Sequence, residues 1–79
     1  MISSNPNQRI DTELLGSEKV VSEGKVFFLD LKENHRGRFL KITEDVGWRR
    51  NTIMLPASAF RDFAAAFAGL AEVERRLSA

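Results

Sequence analysis

Apolar and polar side chains alternate along residues 25–33 (KVFFLDLKE). A period of two is typical of a β-strand that buries one face and exposes the other. One predicted face carries three apolar residues, Phe27, Leu29 and Leu31. The other carries an aromatic ring and two charged groups, Phe28, Asp30 and Lys32. The second face is unusual, because large aromatic and charged side chains occupy positions that ought to face water.

Three further segments predict strands. Residues 38–46 (RFLKITEDV) and 49–56 (RRNTIMLP) alternate in the same way, and residues 17–23 (SEKVVSE) form a shorter β-branched run. Glycine-containing turns separate these segments, and the turn before residue 38 holds two residues that tolerate positive φ, Asn34 and Gly37. Pro56 ends the last strand because it has no N–H to donate to a ladder. The pattern predicts a four-stranded antiparallel meander.

The apolar period changes after the last strand. Large apolar residues recur at helical spacing: Phe60, Phe63, Phe67, Leu70 and Leu77. Ser58 is a candidate N-cap. These features predict an amphipathic helix of about 18–20 residues. The predicted fold class is α+β, with β-β-β-β-α order, in which one helix covers one face of the sheet and leaves the other face open.

The length of 79 residues allows one small domain. The polar, aperiodic start predicts a flexible tail over residues 1–14, so the folded domain is expected over residues 15–79. A domain of this size has a marginal core. Since the sequence has no cysteine, neither a disulfide nor a thiolate metal site can stabilise it. Self-association is the remaining route to stability.

The sequence lacks the motifs that are typical of several classes of enzyme and ligand-binding protein. There is no glycine-rich phosphate loop, no paired nucleophile and base, and no carboxylate cluster beyond Glu44 and Asp45. We therefore predict no enzyme, no cofactor and no small-molecule substrate, and the single histidine, His35, predicts no metal site. Neither a signal peptide nor an apolar run of membrane-spanning length is present. The expectation is an intracellular protein without a membrane partner, in the cytoplasm or nucleoid or in the nucleus according to the organism.

The predicted face opposite the helix is called the open face below. It combines aromatic, charged and polar side chains: Phe28, Asp30, Lys32, Phe39, Lys41, Arg50, Thr52 and Met54. Residues 25–50 also hold seven Lys and Arg against four Asp and Glu. Rings can stack on unpaired bases while Lys and Arg neutralise phosphates. The same rings could pack against a protein, and the pattern alone favours neither partner.

Residues 27–42 (FFLDLKENHRGRFLKI) closely resemble the repeat of the Pur-alpha family of purine-rich-element-binding proteins. That repeat has an aromatic pair, Leu-Asp-Val/Leu-Lys-x-Asn, two variable residues and Gly-Arg-Phe-Leu-Lys/Arg-Ile. Residues 51–63 (NTIMLPASAFRDF) resemble the family's passage from fourth strand to helix. The similarity runs in order over about residues 17–77. One departure is the short loop before the fourth strand, which carries Trp48.

The resemblance implies that one repeat does not stand alone. In the family, two β-β-β-β-α repeats intertwine, and each helix packs across the sheet of the other repeat. This chain has one repeat, so the resemblance implies a symmetric homodimer. The expected interface is the apolar stripe of the helix: Phe60, Phe63, Phe67 and Leu70.

The resemblance also implies a function. The family binds single-stranded, purine-rich DNA and RNA, can unwind short duplexes, and points to a role in transcription or nucleoid regulation. Its motif places contacts at Lys32, Asn34 and Phe39, and at Arg49 or Arg50. With the other residues of the hairpin and open face, the candidate nucleic-acid-binding residues are Lys32, Asn34, Phe39, Arg36, Lys41, Arg50 and Phe28.

Alternatives remain at this stage. Asn34 also suits turn chemistry, and Arg36 can simply keep a sheet edge soluble. A protein-interaction or dimerisation module without nucleic-acid binding is the alternative function.

Overall fold

In a computed structural model, which describes residues 12–79, four β-strands are followed by one helix. The strands are β1 (Thr12–Ser22), β2 (Lys25–Asn34), β3 (Gly37–Asp45) and β4 (Arg50–Pro56), and helix α1 spans Phe60–Ser78. The strands form one antiparallel sheet in the order β1-β2-β3-β4. The predicted element order and the antiparallel meander are confirmed.

Strand β1 is longer than its sequence pattern indicates. It begins at Thr12, whereas the β-branched run suggested a strand over residues 17–23 and a tail through Leu14. The additional residues pair with the far end of β2. A bulge between Leu14 and Gly16 shifts the register there, which interrupts the period of two that would have revealed the strand. The rest of the predicted tail, residues 1–11, lies outside the described residues.

The two hairpin turns at the ends of β2 are stabilised in different ways, one by backbone conformation and the other also by a side-chain hydrogen bond. Glu23 and Gly24 form the β1–β2 turn with φ of 50° and 80°, the positive values of a type I′ hairpin. In the β2–β3 turn Gly37 has φ of 133°. Asn34 does not take positive φ there, and instead its Oδ1 accepts a hydrogen bond from the Arg36 N–H at 2.8 Å. The side chain of Asn34, rather than its backbone, supports this turn.

The sheet passes into the helix through a short 3-10 turn, Ala57–Ala59, directly after Pro56. The prediction that Ser58 caps the helix is wrong. Ala59 occupies the cap position and no side chain caps the first turn, because the chain already coils through Ser58. The 19 residues of α1 agree with the predicted length.

The register sorts the strand residues onto two faces. Leu29 pairs with Ile42 on one face, and Asp30 pairs with Lys41 on the other. The first is called the apolar face, and its apolar strand residues in β2, β3 and β4 are Phe27, Leu29, Leu31, Leu40, Ile42, Ile53 and Leu55. The second is the open face that the alternation predicts, and Thr43 lies on it as well.

Helix α1 does not cover the apolar face of its own chain. It makes sparse contacts with the strands, and the molecule measures 60 × 32 × 16 Å. The radius of gyration is 16.4 Å, whereas a compact chain of this length has about 12 Å. No hydrophobic side chain within residues 12–79 is fully buried. The expectation that one helix covers one face of the sheet is therefore not met by a chain on its own.

Candidate nucleic-acid interface

At the β2–β3 hairpin end of the open face, Lys32 and Phe39 are direct cross-strand partners. Such partners have Cβ atoms about 5 Å apart. Phe39 also pairs with Pro56 of β4, at the point where that strand ends. Both Lys32 and Phe39 are half-buried, so neighbouring side chains restrict them while part of each remains exposed. The hairpin end thus presents a cation beside an aromatic ring.

Asn34 lies at the same end, opposite Gly37. Its Oδ1 is used by the Arg36 N–H, so the turn role that the sequence allowed for Asn34 is observed. Within residues 12–79 no hydrogen bond from the Asn34 amide nitrogen is found. The turn therefore leaves two N–H donors of Asn34 for a ligand. Arg36 is exposed in the turn itself.

Further along the open face, five side chains line a cavity of about 240 Å³, called the cup below: Phe28, Asp30, Lys41, Thr43 and Arg50. Thr43 forms its floor and is only 6% exposed. The Thr52 hydroxyl donates to the Thr43 hydroxyl at 3.5 Å. Four residues of strand, about 13 Å, separate Phe28 from Lys32. The structure therefore places the predicted residues in two neighbouring groups, one at the hairpin end and one at the cup.

Two cations border the Phe28 ring. The Lys19 ammonium and the Arg50 guanidinium each lie 6.0 Å from the ring centroid. Contacts of this kind contribute about 0.5–1 kcal/mol at exposed sites. Lys19 is the cross-strand partner of Phe28, but sequence reasoning did not include it in the candidate site. The period of two in β1 places Lys19 on the same face as Val21, which could have been read from the sequence. Only the pairing of β1 with β2 shows that this face is the open face.

The two arginines at the start of β4 have different surroundings. Arg50 lines the cup, and its Nε donates to Asp45 Oδ2 at 2.9 Å. Arg49 stacks on Trp48 instead, with 4.9 Å between the guanidinium carbon and the ring centroid. Trp48 is 80% exposed in the β3–β4 loop. Of the two arginines, Arg50 is therefore the one that belongs to the open face.

Hydrogen bonds hold the carboxylates at this end of the sheet. The Gly47 N–H donates to Asp45 Oδ1 at 2.8 Å and, together with Arg50, keeps the pKa of Asp45 below its ordinary value of 3.8. Lys25 lies 3.1 Å from Glu44 and lowers the pKa of that carboxyl below 4.5. Both groups are therefore charged at neutral pH. Asp45 braces the β3–β4 turn, and Glu44 links β3 to Lys25 of β2.

The remaining cations of the site are not neutralised by carboxylates of the described chain. Four basic residues of the hairpin end and the cup border form no salt bridge within residues 12–79: Lys19, Lys32, Arg36 and Lys41. Cations without a carboxylate partner can neutralise phosphates and release their counterions. The chemistry of the open face is thus suited to a polyanion that carries flat rings.

The opposite side of the sheet is apolar. Residues of the apolar face and of the first two turns of α1 line a groove of about 320 Å³: Leu29, Leu40, Ile42, Leu55, Phe60, Phe63, Ala64 and Phe67. Phe67 is 68% exposed, and Leu70, which lies beyond the groove, is 69% exposed. The helix stripe predicted for dimerisation therefore continues the apolar face of the sheet and is largely open to solvent.

Residues 12–79 contain no group of three or more His, Asp or Glu side chains placed to hold a metal ion. No helix in this part of the chain is both long and apolar enough to span a membrane.

Comparison with known proteins connects this geometry to a family. The family model for the PurA ssDNA and RNA-binding protein matches residues 2–74. The chain is 47% identical over 53 residues to transcription factor Pur-alpha 1 of Arabidopsis thaliana. The aligned residues cover 67% of this chain and 18% of that protein. It is 41% identical over 63 residues to the transcriptional activator protein Pur-alpha of Homo sapiens, covering 71% and 20% respectively. Transcriptional regulator protein Pur-beta-B of Xenopus laevis is 34% identical over 65 residues, covering 77% and 20%. The chain spans about a fifth of the length of these relatives.

The family match extends over all four strands and most of α1. It includes both groups of the open face, the hairpin end and the cup. By sequence and by its β-β-β-β-α order, the chain belongs to the PurA family of ssDNA- and RNA-binding proteins and forms one PUR repeat.

Proposed function

We propose that this protein binds single-stranded DNA and RNA on the open face of its sheet. The observation that carries the proposal is the pairing of Lys32 with Phe39 next to a cup that holds Phe28 and Lys41. A ring stacks on a base at about 1–3 kcal/mol, and a neighbouring cation neutralises the adjoining phosphate. Cations and rings that share one face can bind consecutive nucleotides of an unpaired strand.

The open face has the length that such a strand requires. From Lys32, opposite Phe39, to the level of Arg50 the sheet extends over six residues of β2, about 20 Å. That length fits about four nucleotides, the lower end of site sizes for small single-strand-binding folds. In this arrangement one end of the nucleic acid contacts the hairpin end of the open face, at Lys32, Asn34, Arg36 and Phe39. The other end contacts the cup, at Phe28, Lys41 and Arg50.

A preference for purine-rich strands is part of the proposal. Purines offer larger faces to a ring than pyrimidines do, and the free amide N–H groups of Asn34 can reach base edges. Phe39 is placed to insert between bases, which would compete with base stacking and destabilise short duplexes. A base held in this way is unavailable to its complementary strand.

We also propose that the active form is a symmetric homodimer in which each helix packs across the partner's sheet. The support is the groove between the apolar face and α1, together with the exposure of Phe67 and Leu70. A chain with no fully buried hydrophobic side chain in its described part has little to stabilise it alone. A second copy buries both the helix stripe and the sheet face at once. The interface residues are Phe60, Phe63, Phe67 and Leu70.

The names of the relatives indicate the cellular process in which they act. They are called transcription factor, transcriptional activator and transcriptional regulator proteins. We propose that this chain likewise acts on nucleic acid inside the cell, in transcription or in the organisation of the nucleoid.

One binding experiment tests the proposal. Affinity is measured by fluorescence anisotropy for a purine-rich strand, a pyrimidine-rich strand and a duplex, each at several salt concentrations. The expected order is purine-rich strand, pyrimidine-rich strand, duplex, and affinity falls linearly on a log–log plot against salt. Absence of binding to every oligonucleotide, together with tight binding of a protein partner, would make the chain an interaction module instead.

A further inference from the structure

Asp30 is out of place on a surface that binds phosphates. It lies on the open face in the middle of β2, as the cross-strand partner of Lys41, and it lines the cup. A carboxylate there repels a polyanion through the same Coulomb term that makes Lys32 and Lys41 attract it. Neutralising Asp30 would therefore strengthen simple electrostatic binding. Its position requires another explanation.

The carboxylate is held in a fixed orientation. Ser17 of β1, its cross-strand partner on the other side, donates from Oγ to Asp30 Oδ1 at 2.7 Å. Within residues 12–79 Asp30 forms no salt bridge, although Lys41 is paired with it. No hydrogen bond to Oδ2 is found in the same part of the chain. The carboxylate thus lines the cup with acceptor capacity that no donor of residues 12–79 uses, and Lys41 is its neighbour on β3.

Phe28 and Arg50 complete the chemistry of the cup. Phe28 supplies an aromatic wall two residues away from Asp30 on the same face. Arg50 lies 6.0 Å from the Phe28 ring, on the side away from Asp30 along β2. A flat ligand that stacks against Phe28 would have a hydrogen-bond acceptor on one edge and cationic donors around it. Those features match a nucleobase better than a phosphate.

The donor pattern of the bases selects one of them. Guanine carries two neighbouring donors on its pairing edge, N1–H and the N2 amine, and the acceptor O6 lies next to them. A carboxylate can accept from both donors, and a cation can donate to O6. Adenine and cytosine offer one amine donor beside a ring acceptor that a carboxylate repels. Thymine and uracil offer one N–H between two carbonyl oxygens.

We propose that the cup is a guanine-binding subsite in which the Asp30 carboxylate accepts from the N1–H and N2 amine of a guanine base, with Lys41 donating to O6 and Phe28 stacking on the ring. This inference rests on the proposed single-strand binding and names the base that one of its subsites reads. Ser17 is a positioning residue, because it acts by holding Asp30 in place.

The test uses oligo-dT strands that carry one central dG, one inosine, one dA or no substitution. Isolated guanines avoid the folded structures that G-rich strands form by themselves. Inosine keeps N1–H and O6 but lacks the N2 amine, so it removes one of the two donors. The wild-type protein is expected to bind the dG strand about tenfold or more tightly than the inosine strand, the range of one bidentate base contact. It should bind the dA strand no better than the inosine strand.

The variant Asp30→Asn is expected to change the affinities for oligo-dT and for the dG strand in opposite directions. Its carbonyl oxygen still accepts from Ser17, so the sheet is unchanged, but the charge and one acceptor are lost. We expect affinity for unsubstituted oligo-dT to rise severalfold, because phosphate repulsion is removed, and affinity for the dG strand to fall. The preference for dG over inosine should disappear. A carboxylate that only braces β1 against β2 predicts instead an equal rise for all four strands.

The outcomes are distinguishable. Tight binding of all strands by the wild-type protein with no difference between dG and inosine overturns the guanine subsite and leaves single-strand binding intact. No binding of any strand overturns both. The comparison of dG with inosine in the wild-type protein needs no variant, so equal binding of the two strands overturns the guanine subsite even if Asp30→Asn folds poorly. Ser17→Ala should reduce the dG preference less than Asp30→Asn does, and without the rise in affinity for oligo-dT.

Discussion

Lys32 and Phe39 face each other across the β2–β3 ladder and lie on the same side of the sheet. The pair places a positive charge and an aromatic ring about 5 Å apart, close enough to bind the phosphate and the base of neighbouring nucleotides. The two side chains contribute different forces. Substituting each in turn therefore separates stacking from electrostatic attraction.

Phe39→Ala removes a stacking platform and leaves every charge in place. Affinity for a single strand is expected to fall by about 1–3 kcal/mol with the salt dependence unchanged. Strand separation of a short duplex should suffer most, because it requires a ring between the bases. Anisotropy titrations at several salt concentrations measure the first effect, and a fluorescence-quenched duplex measures the second. A sharply lowered melting temperature with intact affinity would make Phe39 a structural residue instead.

Lys32→Ala removes a phosphate contact. Binding should weaken by a similar factor for all sequences, and the slope of log affinity against log salt should become shallower by about one unit. The matched control is Lys25→Ala in the same strand, since Lys25 forms a salt bridge with Glu44, whose register partner Phe27 lies on the apolar face. If both variants change the slope equally, Lys32 acts through net charge and not through contact.

Asn34 combines two roles that two substitutions can separate. Asn34→Asp keeps an oxygen to accept from the Arg36 N–H, so the turn and the melting temperature should persist, but the amide donors are lost and a negative charge is added. Affinity should drop strongly. Asn34→Ala should lower both the melting temperature and the affinity. Should Asn34→Asp bind as tightly as wild type, the residue serves the turn alone.

The exposed helix stripe is expected to hold the dimer together. Phe67→Asp places a charge in the groove and should abolish the dimer and, with it, the stable fold. Ala65→Asp is the matched control on the opposite side of α1, outside the residues that line the groove. Light scattering and circular dichroism report mass and folding. A folded monomeric wild-type protein at micromolar concentration would contradict the dimer.

Acid should loosen the β3–β4 turn through Asp45. Its folded pKa is lowered from 3.8 by the Gly47 N–H and by Arg50, so its contribution to stability is complete above pH 3.8 and is lost as the pH falls through the lower folded value. Asp45→Asn keeps the acceptor for Gly47 but cannot titrate. Thermal melts between pH 7 and acid should therefore be less dependent on pH for the variant. Parallel curves for the two proteins would show that Asp45 does not contribute to acid unfolding.

Local patterning was sufficient for most of the fold. The alternation in residues 25–33 and 38–46 predicted β2, β3 and their facing, and the spacing of Phe60, Phe63 and Phe67 predicted α1, because side-chain direction follows the backbone period within one element. It failed where the period was broken or offset. The bulge between Leu14 and Gly16 concealed the first part of β1, and the 3-10 turn displaced the helix start beyond Ser58.

The residue pattern was enough to predict the order of the elements, the two faces of β2, β3 and β4, and the family. The tertiary structure decided which side chains meet. Lys19 joins Phe28 only because β1 pairs with β2 in this register, and Asp30, Lys41 and Arg50 share one cup only because three strands bring them together. The structure also decided that α1 leaves the apolar face uncovered. Such contacts depend on the register of the strands and on the direction in which the helix leaves the sheet. Neither is encoded in the local period of a single segment.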